Sequence, residues 1–319
     1  MRTITLEEHF VTTNFIKATN AYGPDTPPQM QEIREKLLDI GEGRIAAMDE
    51  GGIDVQVLSL AALGLDKLGR ADQTAVLRDV HDELAAAIKA HPDRFAGFAT
   101  PGLKDPGSAV KELERCVTQL GFKGMLLDGT TDGKFLDAPE FFPVLEAAAA
   151  LEVPLYLHPA PAPKQVADVY YTGLPGEVGF LLSIAGWGWH AENGLHALRL
   201  IVSGVMDRWP KLKVILGHMG EGVPYALARS SGVLSAAAKL KRSVADTFKE
   251  QFFITTSGYF TRPPFECARA VFGFDHMMYS VDYPFSPNTR GLDFLKQLSL
   301  SEEESAAFRG GHAEALLKV

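Results

Sequence analysis

KGMLLDGTTDGKFLDAPEFFPVLEAAAALEVPLYLH, residues 123–158, holds the unit from which the fold is read. Lys123–Asp128 is a short, near-continuous apolar run that ends on an aspartate. Ala138–Leu151 is alanine-rich and helical. Val153–His158 is a second apolar run, and it ends on a histidine. Runs that are apolar on both faces are the pattern of parallel strands covered on each side.

The unit recurs in both directions. Toward the N-terminus lie Thr3–His9 (TITLEEH), Val55–Ala61 (VQVLSLA) and Phe95–Thr100 (FAGFAT). Toward the C-terminus lie Lys213–His218 (KVILGH), Phe252–Ser257 (FFITTS) and Met277–Asp282 (MMYSVD). Helical patterns separate them at Arg44–Glu50, Asp72–Ala90, Pro106–Leu120, Gly194–Met206, Pro224–Ala238 and Pro264–Phe272. The tail, Ser301–Leu317, opens with a capping serine followed by Glu302, Glu303 and Glu304. Strands alternating with helices in this number predict an α/β protein, a single (β/α)8 TIM barrel domain over residues 1–319. A doubly wound sheet is the rival, but its glycine-rich turn after the first strand is absent from LEEHF. Two segments exceed ordinary loop length: Val11–Lys36 after strand one and Pro159–Asn193 after strand five. Both leave strand ends of the kind that form barrel active sites, so both are candidate lids.

Composition narrows the function. The chain has 319 residues, 46% hydrophobic and 22% charged, with 31 basic against 40 acidic residues and a net charge of −9. An acidic chain has no global electrostatic case for nucleic acid or an anionic membrane. The two cysteines, Cys116 and Cys267, have no metal-ligand spacing and form no disulfide framework. No stretch is apolar enough for a membrane span and MRTITLEEHF does not read as a signal peptide, so a cytoplasmic location is expected.

Polar, metal-capable residues stand at the ends of the apolar runs: Glu7 and His9, His158, His218 and Asp282. In a barrel these ends converge on one mouth. Glu7 and His9 are two apart on a strand and share a face, while Glu8 points into the wall. Carboxylates with imidazoles form a mixed nitrogen and oxygen set that suits Zn²⁺ or Mn²⁺ with a position open for substrate. His81, His91, His276 and His312 read as structural. His190 and His196 follow strand five and are set aside. In LGHMGEG, Glu221 either orients His218 or caps the next helix. Arg229, by spacing alone, favours the surface. Trp187 and Trp189 sit in the second lid, where bordering the pocket and packing on a neighbouring subunit stand as equal readings.

LEEHF (6–10), YLHP (156–159), HALRLIVSGVMDRWPKLKVILGHMGEG (196–222) and SVDYPF (280–285) together resemble the amidohydrolase-2 group of metal-dependent barrels. The closest likeness within it is to the γ-resorcylate, 2,3-dihydroxybenzoate and 5-carboxyvanillate decarboxylases. The resemblance runs in order from Leu6 to Leu317. It implies Glu7, His9, His158 and Asp282 as ligands of one divalent ion, Zn²⁺ or Mn²⁺, and His218 with Glu221 as the catalytic pair. Arg229 would lie near the substrate carboxylate, across a subunit contact in a dimer or tetramer. Apart from the resemblance, the lid's position predicts that at least one of Trp187 and Trp189 borders the pocket and excludes water from the ring. Glu-x-His on strand one, in place of the His-x-His of many amidohydrolases, is the variant of the hydroxybenzoate decarboxylases. LAALGLDKL (60–68) and GWGWH (186–190) depart from the group's pattern.

The implied reaction is non-oxidative loss of CO2 from a small hydroxylated aromatic acid, reversible at high bicarbonate, with Asp282 delivering the proton to the ring. A lactonase-type metal-dependent hydrolase is the alternative, and a non-catalytic binding scaffold a more distant one.

Overall fold

The computed structural model of the protein describes residues 2–23, 26 and 28–319. It contains eight strands: β1 (Ile4–Phe10), β2 (Val55–Leu60), β3 (Phe95–Gly97), β4 (Met125–Asp128), β5 (Leu155–His158), β6 (Val214–Leu216), β7 (Phe252–Thr255) and β8 (Met277–Met278). β1–β2–β3 form one parallel sheet and β4–β5–β6–β7–β8 another. Parallel bridges join the two at both edges, Ala99 with Met125 and Glu8 with Tyr283. The first edge is tied by N–H groups of Lys123 and Leu126 donating to the carbonyls of Gly97 and Ala99 at 2.8 Å. The second is tied by the His9 N–H donating to the Tyr283 carbonyl at 2.7 Å.

All eight strands fall inside or against the apolar runs. The alternation of side chains explains both the core and the place of the polar groups. Ile4, Leu6, Val55, Val57, Leu126, Tyr156, Ile215 and Met278 pack together as an inner cluster. Their chain neighbours Met125, Leu127, Leu155, Leu157, Val214 and Leu216 pack in the second cluster with helix residues such as Leu113, Leu145 and Leu200. The residue two positions beyond an inner one faces the same way. Leu126 is thus followed by Asp128, and Tyr156 by His158, so one alternation fills the core and lines the strand ends with polar groups.

β1 departs from strict alternation. Leu6 belongs to the inner cluster, which by parity would turn Glu7 away. The pairing with β2 slips between Thr5 and Glu8, a bulge that lets Leu6, Glu7 and His9 all face inward. The Ser280 hydroxyl accepts from the N–H groups of both Leu6 and Glu7, at 3.0 and 2.7 Å, supplying the partners that the bulge takes away.

The structure differs from expectation in six places. The segment after β1 contains helices at Thr13–Thr19 and Pro28–Leu38, and the segment after β5 contains helices at Lys164–Tyr170 and Val178–Ser183. Both are helical excursions rather than open loops. The helix expected from Gly194 begins at Gly188 and so includes His190. Helices at Val244–Gln251 and Asn288–Gln297 have no counterpart in the sequence reading. β8 stops at Met278, so Asp282 stands beyond the strand in a left-handed conformation, φ 72°, rather than closing it. The Ser301 capping box is present, with Glu304 N–H donating to the serine hydroxyl at 3.1 Å. Its helix then passes through a π-helical turn at Ala307–Gly311. No described helix is long and apolar enough to cross a membrane.

His81, Glu112 and Cys116 cluster between two helices away from the strand ends. The backbone N–H of Thr100 donates to His81 Nε2 at 2.9 Å, so Nδ1 carries the proton given to Glu112 Oε1 at 2.8 Å. Both imidazole nitrogens are occupied, and Arg115 donates twice to the same carboxylate, at 3.0 and 2.6 Å, so the cluster is structural. Burial pushes Glu112 up, but His81 and Arg115 outweigh it and hold the carboxyl at about 2. The unfolded chain titrates this group near 4.5. Its stabilisation is therefore complete above that pH and lost as pH falls through about 2. Glu112→Gln is expected to cost about 1–3 kcal/mol at neutral pH. Urea unfolding at stepped pH should show the gap to wild type constant above pH 4.5 and closing below it; a gap that persists undiminished to pH 2 refutes the assignment.

Candidate active site

The strand ends bring five of the sequence-selected residues into one cluster. His158 Nε2 lies 3.3 Å from Glu7 Oε1, and His9 Nε2 lies 3.4 Å from Asp282 Oδ1. His218 Nε2 lies 3.8 Å from Glu7 Oε1 and 3.7 Å from Asp282 Oδ2. The His9 and His158 rings meet edge to face at 4.9 Å.

Each side chain is held from behind. The Tyr156 hydroxyl donates to Glu7 Oε2 and is itself 2.7 Å from the Thr255 hydroxyl. Gly217 makes room for that carboxylate: a Cβ there would lie 2.3 Å from Glu7 Oε2. Ser59 contacts His9 Nδ1 at 3.2 Å, and buried Arg44 donates to the His9 carbonyl at 2.6 Å. Asp128, opposite His158 in the β4–β5 register, accepts from His158 Nδ1 at 2.5 Å. Glu8, on the other face of β1, accepts from the Ser280 hydroxyl and from the N–H groups of Val281 and Tyr283 at 2.9–3.0 Å. Those two amides flank Asp282, so Glu8 fixes its position.

The inner atoms are left without partners. Glu7 Oε1 and His9 Nε2 are buried and make no hydrogen bond among the described residues. An orphaned carboxylate oxygen beside an orphaned imidazole nitrogen is costly unless a cation satisfies both. The surrounding field also favours positive charge. Burial pushes His158 down, but Asp128 and Glu7 outweigh it and raise it to about 9. Carboxylate oxygens and imidazole nitrogens fit a divalent ion of borderline or hard character, and a carboxylate behind His158 Nδ1 leaves Nε2 to face it.

A second layer lies beside this cluster. From His218 to Gly222 the backbone runs through left-handed conformations, φ 49° to 79°. For a non-glycine residue each costs about 1–3 kcal/mol, and such strain collects at functional sites. The run brings His218 Nδ1 within 2.9 Å of Glu221 Oε1, so Glu221 orients the imidazole and does not serve as a helix cap. Burial opposes charge at His218, but Glu7 and Glu221 raise it well above its usual range. Burial likewise opposes charge at Glu221, yet His218 and His190 hold it at about 2.

His190, set aside in the sequence reading, donates from Nδ1 to Glu221 Oε2 at 2.6 Å and packs on His218 at 4.6 Å between ring centroids. Asn193 donates to Glu221 Oε1 at 3.1 Å. Asp128, Tyr156 and Asn193 were also missed. Asp128 carried a usable signal, since it ends an apolar run as His158 does. Tyr156 looked like an ordinary core residue, and Asn193 and His190 depend on a helix that starts earlier than its periodicity suggests. His196 stays out of the site, accepting from the Leu136 N–H at 2.9 Å. Trp189 donates to His190 Nε2 at 3.0 Å, whereas Trp187 is 63% exposed on the lid. Arg229 is exposed and makes no ion pair or hydrogen bond among the described residues, so one chain does not bring it to the cluster.

A family model described as amidohydrolase matches residues 12–319. A decarboxylase named orsB from Emericella nidulans is 37% identical, covering 99% of this chain and 97% of its own. A gamma-resorcylate decarboxylase from Polaromonas sp. is 37% identical, covering 99% and 98%. The crystal structure of a dihydroxybenzoic acid decarboxylase from Polaromonas sp., with bound manganese and the inhibitor 2-nitroresorcinol, is 35% identical with a TM-score of 0.90 over 99% of this chain and 97% of that one.

Gly217→Ala is expected to displace the Glu7 carboxylate and weaken divalent-ion binding roughly ten- to a hundred-fold while the fold persists. Titration of metal-free protein with Mn²⁺, followed by calorimetry, with circular dichroism as the fold control, measures this. Unchanged affinity would mean that Glu7 Oε2 does not need the space.

Proposed function

The chain belongs to the amidohydrolase family, and on that premise we propose that it is a metal-dependent, non-oxidative decarboxylase of a hydroxylated benzoate-type acid. We read the two sheets as one closed (β/α)8 barrel and a single domain over residues 1–319. The Ala99–Met125 and Glu8–Tyr283 bridges support closure. The observation that carries the functional reading is the orphaned pair, Glu7 Oε1 and His9 Nε2, facing His158 and Asp282 at one mouth.

Glu7, His9, His158 and Asp282 would hold the ion, Mn²⁺ or Zn²⁺. When bound, the ion supplies Lewis acidity that neutralises and orients the substrate's carboxylate and an adjacent phenolate oxygen. The protein supplies the rest. Phe285, edge to face with His9 at 5.7 Å, and Tyr259, 5.8 Å from His218, border the cluster with apolar surface suited to an aromatic ring. Tyr22 is buried nearby, its phenol pushed up by burial and then by Asp128 and Asp282.

Decarboxylation requires a proton at the ring carbon that bears the carboxylate. The carbon–carbon bond then breaks, its electron pair restores the aromatic ring, and CO2 leaves. His218 holds a proton between Glu221 and the site, and Asp282 Oδ2 stands 3.7 Å from its Nε2. Asp282 carries the proton to carbon and His218 replenishes it. Glu221, anchored by His190 and Asn193, keeps the imidazole aimed. The reaction is reversible at high bicarbonate.

The assembly is a homo-oligomer, a dimer or tetramer. Exposed Tyr170, Phe180, Leu181 and Trp187 in the second lid and Tyr225 on the Val223–Ala238 helix support a subunit contact. Arg229, exposed on the same helix, would in this reading bind the substrate carboxylate of a neighbouring site.

The test is CO2 release from 2,6-dihydroxybenzoate, 2,3-dihydroxybenzoate and 5-carboxyvanillate, with a lactone alongside. Wild-type protein should release CO2 from at least one acid and lose activity on chelation. Lactone hydrolysis with no CO2 from any acid would establish the hydrolase reading instead. Asp282→Asn and His218→Asn should each lose about 10²–10⁴-fold in kcat. His218→Asn should retain stoichiometric metal by elemental analysis; loss of the metal would make His218 a ligand.

A further inference from the structure

From sequence, Trp189 is a candidate either for the pocket wall or for a subunit contact, yet its indole N–H points at a protein atom. It donates to His190 Nε2 at 3.0 Å, and the rings meet nearly perpendicular, at 88°. An indole nitrogen is a donor only. His190 Nε2 must therefore accept, which requires a lone pair and no proton. The single ring proton then sits on Nδ1 and is donated to Glu221 Oε2 at 2.6 Å. His190 also lies in the first turn of the Gly188–Val202 helix, where the positive end of the macrodipole disfavours an imidazolium.

The consequence falls on Glu221. Its two oxygens accept from His190, from Asn193 and from His218, at 2.6, 3.1 and 2.9 Å. A neutral His190 contributes a hydrogen bond without neutralising the carboxylate. The whole negative charge then remains for His218. A protonated His190 would put two imidazolium rings, 4.6 Å apart, in competition for one carboxylate.

We infer that Trp189 is a positioning residue whose indole N–H locks His190 in its neutral Nδ1–H form, so that His190 holds Glu221 as an anion dedicated to His218. The inference rests on the reading of His218 and Glu221 under the proposed function, and it reassigns the indole from the substrate to the protein.

Two measurements test it on the purified, metal-loaded oligomer. Nitrogen-15 spectra of the histidine-labelled zinc form report the lock without any turnover. The His190 signals, identified by their loss in His190→Asn, should be pyrrole-like at Nδ1 and pyridine-like at Nε2. Kinetics with the best of the three benzoates report the consequence. Trp189→Phe keeps an aromatic ring but no donor, and kcat should fall about tenfold with KM unchanged within twofold, a fraction of a full acid–base contribution. In a His190→Asn background the amide has no tautomer to set, so the same change should cost less than twofold, a non-additivity that marks coupled residues. A protonated or Nε2–H His190 in the wild type overturns the inference. So does a Trp189→Phe loss that is absent, equal in both backgrounds, or confined to KM; the last would return the indole to the pocket wall. A wild type that releases no CO2 refutes the proposed reaction instead, and the nitrogen signals then decide the lock alone.

Discussion

Ser280 and Glu8 join the first strand to the chain beyond the last. The serine hydroxyl accepts from the Leu6 and Glu7 amides and donates to Glu8, and Glu8 in turn receives the amides of Val281 and Tyr283, 273 and 275 residues away. This arrangement satisfies a bulge on one side and fixes Asp282 on the other. Burial pushes Glu8 up to about 7 even against those donors. Each amide left without its partner there would cost about 1–3 kcal/mol. The position of Asp282 relative to Glu7 and His9 depends on this contact, and with it the whole cluster.

The site concentrates costs that the rest of the molecule avoids. Left-handed backbone at His218, Met219, Glu221 and Asp282, carboxylates buried among imidazoles, and orphaned inner atoms would each weaken a domain built only for stability. Under the proposed function an ion and a substrate would complete the unsatisfied groups. The contrast with His81 and Glu112 is instructive. There the same residue types close on one another, both imidazole nitrogens are used, and nothing remains to bind.

The two layers of the site answer different chemical needs. In the proposed function the inner layer would present lone pairs and charge to a cation. The outer layer, from Trp189 through His190 and Glu221 to His218, would present a proton. They meet at His218 Nε2, within 4 Å of both Glu7 and Asp282.

The eight parallel strands, their order and the polar residues at their ends were legible in the sequence, because apolar runs capped by His, Glu or Asp report burial and its limit directly. Glu7, His9, His158, His218 and Asp282 were picked out that way, and Glu221 by its place three residues after His218 in a glycine-flanked turn. Their spatial partners were not. His190 and Asn193 reach Glu221 only because their helix begins at Gly188, a start hidden by the glycine and tryptophan residues before it. Tyr156 is indistinguishable from a core residue until Glu7 is placed above it. Parity along β1 alone would have set Leu6 against Glu7, and only the register slip turns both inward. The aim of Trp189 likewise followed from packing. Local periodicity determines which residues are buried and on which element, because it is a property of neighbours in the chain. Which buried groups face one another, in which tautomer and with which atoms left free, depends on contacts between residues tens to hundreds of positions apart, and only the tertiary structure decides those.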